Sequence, residues 1–204
     1  NVTVTDVTPV SFSVVWNTSE PGIPNIRVYA DADGNMEITD QVQVVPHPTK
    51  SGNSFVALAA EEAGVMKVQV AGLEPDTAYY YRTDTISKAS FEGTLYPSAA
   101  PFAVVTTETK VTRTILSGND EVPFTNDLIC MQCLWPVGQT PAVGTLLVIE
   151  VSGSTYPVSC FAGDEFATDY ACVDLNNVFS NQDYETLSLS GGQGLTLKKF
   201  MGME

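Results

Sequence analysis

Between Thr114 and Leu197 the chain contains no lysine or arginine, although ten aspartates and glutamates fall there. Over all 204 residues, 24 acids face 9 bases, a formal charge of -15. A surface of this sign repels the phosphates of nucleic acids and the headgroups of anionic lipids, which excludes both as partners. Histidine is nearly absent too: the single one, His47, stands between Pro46 and Pro48. A Ser-His-Asp triad or a His-ligated metal centre needs an imidazole fixed by partners, and a histidine in a proline-flanked loop reads as a surface residue. No Gly-x-Ser-x-Gly elbow and no phosphate-cradling glycine loop occurs. The acidic pairs Glu61-Glu62 and Asp164-Glu165 are the neighbours that any chain this acidic contains. The sequence therefore predicts a protein that is not an enzyme. Nor is there an apolar run near the roughly 18 residues that span a bilayer, so no membrane insertion is expected. The longest candidate, Ala142 to Val151, has the length of a buried strand.

What the chain does have is alternation. Val2-Thr3-Val4-Thr5 opens with it, and Phe12-Ser13-Val14-Val15-Trp16 follows. Pro21-Gly22-Ile23-Pro24 marks a turn. Asn25 to Tyr29, Gln41 to Val45, Val65 to Val70, Tyr79 to Thr85 and Phe102 to Thr107 read as further strands, and Phe55 to Ala63 has room for a helical turn. Short strands at regular intervals, separated by turn residues, predict an all-β sandwich.

One segment of this first half carries a resemblance. Leu73-Glu74-Pro75-Asp76-Thr77-Ala78-Tyr79 enters a strand as Leu-x-Pro-x-Thr-x-Tyr, with Trp16 well upstream. Residues 1–108 thereby resemble bacterial fibronectin type III domains. The same corner occurs in sandwich domains that precede phosphoesterase catalytic domains. The resemblance implies that the Tyr79 hydroxyl turns back to the chain just upstream and that Trp16 fills the space between two sheets. Within Tyr79-Tyr80-Tyr81, strand alternation puts Tyr79 and Tyr81 on one side and Tyr80 on the other. This half departs from the family in the long segment from Asp31 to Gly64 and in its short first strand. The Arg-Gly-Asp tripeptide is absent.

Glu108-Thr109-Lys110 lacks a Gly/Pro linker and predicts a short junction to a second, β-rich, acidic domain over residues 109–204, which resembles no known family. Val111 to Leu116 reads as a strand, and Gly144 to Val151 as a central one covered on both faces. Tyr156 to Phe161 follows, and Asp174 to Phe179 has room for one helical turn. Thr186 to Ser190, the Gly191-Gly192-Gln193-Gly194 turn and Leu195 to Phe200 read as a hairpin. All four cysteines, Cys130, Cys133, Cys160 and Cys172, lie here. An even count in an exported chain points to disulfides, and loops closed around local turns favour Cys130–Cys133 with Cys160–Cys172. A four-thiolate zinc site is the other use of such cysteines, but eleven residues separate the second pair. The start at Asn1 without Met reads as a mature chain freed of a signal peptide, which places the protein outside the cell or on its surface.

Asp31, Asp33 and Asn35 offer oxygen ligands at alternate positions, as calcium loops begin. Met36 and Val42 stand where such a loop needs its glycine and bidentate glutamate, so the segment reads equally as a turn. Calcium is the one cofactor the sequence suggests. Asn1-Val2-Thr3 and Asn17-Thr18-Ser19 match the N-glycosylation pattern. The leading functional expectation is a structural subunit of an extracellular or cell-surface assembly, self-associating through Val2, Val4, Leu195, Leu197 and Phe200 at its two ends. A surface binding module for carbohydrate or protein is the alternative, and an accessory domain of a secreted enzyme the third.

Overall fold

The computed structural model describes residues 1–49, 54–108, 128–134, 142–164, 168–174, 192 and 194–200. Strands β1 (Val2–Thr5), β2 (Ser11–Asn17), β3 (Gly22–Tyr29) and β4 (Gln43–Pro46) are followed by helix α1 (Ser54–Glu62). Then come β5 (Val65–Ala71), β6 (Ala78–Ser87), β7 (Gly93–Tyr96) and β8 (Phe102–Val105). The second half supplies β9 (Leu128–Gln132), β10 (Leu146–Val151), β11 (Val158–Phe161), β12 (Tyr170–Asp174) and β13 (Leu195–Phe200). The fold is all-β; the described residues add one short α-helix and a 3-10 turn at Thr39–Gln41.

The first eight strands form a sandwich. One sheet has the order β1-β2-β5-β4; in the other, β3 pairs with β6, whose far edge is shared by β7 and β8. Period-2 alternation decides which side chains meet between the sheets. From β2 they are Phe12, Val14 and Trp16; from β5, Met66, Val68 and Val70; from β3, Ile26 and Val28; from β6, Tyr79 and Tyr81. Trp16 is buried in this core, as its sequence context predicts, and its Nε1 donates to Thr85 Oγ1 at 2.9 Å. The Tyr79 hydroxyl accepts the Glu74 backbone N–H at 2.9 Å, closing the corner that leads into β6.

The outer face of the first sheet is covered as well. Val15 of β2 and Val65 of β5 point away from the sandwich core and meet Val56 and Ala60 of α1 with Leu146, Val148 and Phe161 of the second half. Helix α1 buries Val56 and Ala60, one turn apart. It ends at Gly64, whose φ of 72° suits the left-handed residue after a helix. Strand β10 is flanked by β11 and β13, and β12 pairs with β9; the two sheets meet at the bridge between Ala162 and Ala171. Leu147 and Ile149 face away from the sandwich, toward Ala171 and Val173. As expected, β10 is covered on both faces. Gly144 (φ 80°) brings the turn before β10 against α1, where an added Cβ would lie 2.6 Å from Ala60 N.

Several elements differ from expectation. The segment expected to turn at Pro21 to Pro24 is the beginning of β3. Pro24 is tolerated because β3 is an edge strand, with β6 its one partner strand among the described residues and the Glu37 to Thr39 segment bonded only to its far end at Val28 and Tyr29. The ambiguous stretch from Phe55 is a helix of 9 residues. The strand Leu195 to Phe200 forms, but its partner is β10. The strands expected at Val111 to Leu116 and Thr186 to Ser190 lie outside the described residues, as do the Thr109-Lys110 part of the junction and residues 175–179 of the expected helical turn.

Two substitutions measure these contacts. Trp16→Ala leaves a cavity between the sheets and is expected to cost roughly 3–5 kcal/mol in urea unfolding. Gly144→Val has to displace helix backbone and adopt positive φ. It is expected to lose about 2 kcal/mol or more, whereas equal stability would show that the turn does not bear on α1.

Candidate functional site

Three places hold the chemistry this chain offers: the joint between its halves, the cysteine-bearing strands and the edge strand β13. The joint centres on Asp6, which follows β1 with φ 54°. Its backbone N–H donates to Pro157 O at 2.8 Å. Its Oδ1 accepts the Ser159 N–H at 2.8 Å, and its Oδ2 lies 2.6 Å from Ser159 Oγ and 2.7 Å from Thr5 Oγ1. Lys67, only 6% exposed, approaches the same Oδ2 at 3.1 Å and donates to Ser159 O at 3.1 Å. Lys67 sits on β5 with its side chain on the outer face, so the second half covers a charge that an isolated sandwich would leave in water. A buried ion pair is tolerable when its remaining hydrogen-bonding capacity is filled, and here Ser159 and Thr5 fill it. The Ser159 hydroxyl points at a carboxylate that already holds a lysine and a backbone N–H. It has no imidazole or free amine to activate it.

His47 lies beside this joint and corrects an expectation. It is 5% exposed, not a surface residue. With φ 42° after Pro46, it turns its ring inward, 5.7 Å from the Phe161 ring and 4.0 Å from Glu61 Oε1. The second half covers the loop, which the sequence of the sandwich alone does not reveal. Neither ring nitrogen has a hydrogen-bond partner among the described residues. Burial, and secondarily the Lys88 charge, lowers its pKa to about 4. An unfolded chain titrates near 6.5, so below that pH the unfolded state takes up a proton that the native state refuses. Stability is therefore expected to fall between pH 6.5 and 4, by about 3 kcal/mol in all. His47→Leu should remove this component. A parent-minus-variant difference in unfolding free energy that stays flat across that window would contradict the assignment.

The cysteines also differ from expectation. Cys130 and Cys172 are joined, not Cys130 with Cys133 or Cys160 with Cys172. Register explains this. Cys130 of β9 stands directly opposite Cys172 of β12, with Cα atoms 4.1 Å apart. Cys133 lies three residues from Cys130 along extended chain, so it points to the opposite face. Cys160 shares the face of Ala162 and Ala171, whereas Cys172 takes the other. Cys133 is a buried thiol whose pKa burial pushes up, and its Sγ lies 3.8 Å from Met131 O. Cys160 likewise stands outside any disulfide.

The Asp31 segment takes the role of a turn. Asp31 Oδ1 accepts the Met36 N–H at 2.7 Å and Oδ2 the Asn35 N–H at 3.1 Å, which together hold its carboxyl below the usual range. The positive φ falls on Gly34, not on Asp33 or Asn35. Among the described residues no three His, Cys, Asp or Glu side chains converge as metal ligands.

The assembly residues divide. Val2 and Val4 pack against the sandwich core and Phe200 against the interlayer core, so their side chains serve this chain's own folding. Leu195 and Leu197 are 43% and 49% exposed. They belong to β13, which among the described residues pairs with β10 alone. Lys198 is tied to Glu150, and Lys199 is the next residue. These two lysines are the first basic residues after Arg113. No described helix is long and apolar enough to cross a membrane. No protein-family model matches the chain, and no curated protein matches it significantly.

Sequence reasoning missed Asp6, Lys67 and Ser159. Lys67 left a faint signal, a charge in the middle of an otherwise apolar strand.

Proposed function

We propose that this chain is an exported, non-catalytic structural subunit that joins copies of itself at a cell surface or in an extracellular assembly. The observation that carries the reading is the edge of β13. Among the described residues β13 is paired on one side only and carries two exposed leucines, and a strand of that kind is a template for pairing with another chain. The charge pattern suits it: Lys198 and Lys199 form a basic spot on a subunit of net charge -15, so a neighbour's acidic surface complements it. The disulfide supports an oxidising compartment. The sheet orders and the Tyr79 corner support reading residues 1–108 as fibronectin type III-like, a fold that serves as a scaffold and names no ligand. A second reading, a surface module that binds carbohydrate or protein, is favoured by one observation. Tyr96 is 56% exposed beside a hydroxyl-lined cleft.

The test is Leu195→Lys with Leu197→Lys. Lysines blunt edge strands, yet they also lower the net negative charge, so lost assembly cannot be put down to added repulsion. Light scattering is expected to show concentration-dependent polymers of the parent that weaken at low ionic strength. The double variant should need roughly tenfold more protein. A parent that stays monomeric at high concentration in physiological salt would overturn the proposal.

A further inference from the structure

We propose that the sandwich binds a neutral saccharide in a cleft between strands β1 and β7. The inward positions of β6 are Tyr79, Tyr81, Thr83, Thr85 and Ser87. Its first half is aromatic and closes the core; its second half is all hydroxyl. The inner faces of a sandwich normally carry apolar residues. Strand β7 extends the polar face, since Thr94 pairs with Thr85 and Tyr96 with Thr83. Where the hydroxyls begin, a cleft of about 380 Å³ opens, with Trp16 and Val2 on its opposite wall. That volume falls in the range of small-molecule sites, roughly 300–1,000 Å³.

The wall chemistry selects the ligand. Thr85 Oγ1 accepts the Trp16 indole N–H, which fixes it and leaves its own proton to donate. Thr94 has no hydrogen-bond partner for its hydroxyl among the described residues. Tyr96 offers a ring face at the mouth, anchored by the Phe102 ring 5.7 Å away. Thr83 donates to Tyr96 O and Ser87 accepts the Ala89 and Ser90 N–H groups, which leaves Thr85 and Thr94 to a ligand; such hydroxyls beside an aromatic face match the alternating O–H and C–H surfaces of a sugar ring. Among the described residues, Glu20 is the one charged side chain on the walls, and no lysine or arginine side chain lines them. That disfavours phosphorylated, sulfated or uronic ligands. An extended peptide would be held chiefly by backbone groups of an open edge. Here the lining is side-chain hydroxyl, which favours the sugar.

This inference is independent of the assembly proposal and is tested on the Leu195→Lys, Leu197→Lys protein, whose cleft is unaltered. The probes are cellopentaose, mannopentaose and chitotetraose at about 5 mM in saturation-transfer NMR, which detects weak millimolar binding. Oligogalacturonate and a valine–threonine decapeptide are the comparisons. At least one neutral probe is expected to receive saturation. Thr94→Val and Tyr96→Ala should each weaken its binding tenfold or more, while the near-UV circular dichroism of the protein stays intact. No transfer to any neutral probe would overturn the proposal. So would binding that survives both substitutions, a preference for oligogalacturonate, or binding of the decapeptide alone.

Discussion

The outer face of the β1-β2-β5-β4 sheet has to be covered, because Val15 and Val65 project from it and the Lys67 ammonium is cut off from water. Most sandwiches leave the outer faces of their sheets to solvent, with polar residues alternating against apolar ones. Here β2 is buried along nearly its whole length, on both faces. The covering layer meets it in two registers at once. The apolar half is Val15 and Val65 against Leu146, Val148 and Phe161; the polar half is Lys67, Asp6, Thr5 and Ser159. Hydrophobic contact supplies most of the free energy and is tolerant of sliding. The Asp6 cluster is not, because a shift of one residue would leave a buried ammonium and a partly buried carboxylate unpaired. Packing holds the layers together, and the ion pair sets where they stop.

The same joint explains features that seem unrelated in the chain. His47 is sealed beneath it, which makes one imidazole the source of an acid sensitivity. Gly144 is required because the turn into β10 runs against the backbone of α1. The Cys130–Cys172 bridge closes a separation of 42 residues between β9 and β12 and so restrains the unfolded chain. With its core consumed by this layering, the second half is left with β13 at its margin. That margin carries the exposed leucines and the first basic residues after Arg113, and the proposed self-association rests on it.

Much of the sandwich was legible because its signals are local. The alternation of Phe12 to Trp16 and of Val65 to Val70 gives period-2 strands, and the Leu73 to Tyr79 run announces its own corner. In the second half β10 was legible from a long apolar run that requires burial on both faces, and β11 and β13 from short strand-like runs, though not the partner of β13. Strands β9 and β12 escaped because they are short, and because Cys133, just past the end of β9, invited a local loop with Cys130. Disulfide pairing depends on register between strands far apart in sequence, and spacing alone favoured the wrong partners. His47 was misread for the same reason: what buries it is Phe161, 114 positions along the chain. In the candidate sites, exposed Leu195 and Leu197 followed from alternation at an edge. Val2, Val4 and Phe200 did not, because whether an apolar residue faces a core or solvent is settled by the layer above it. The hydroxyl face of β6 was readable in Thr83, Thr85 and Ser87, but only once their side of the strand was known to be the inside.

If the shared layer is the organising constraint, the sandwich and the sheet laid on it open together. Native-state hydrogen exchange measures this directly, by comparing amides of β2 and β5 with those of β10 and β11. The account predicts a common opening free energy for all four strands, equal within about 1 kcal/mol, under conditions where exchange reports equilibrium opening. Exchange of β10 and β11 through an opening several kcal/mol below that of β2 and β5 would contradict it. It would mean that the second half lifts off a sandwich that remains folded without it.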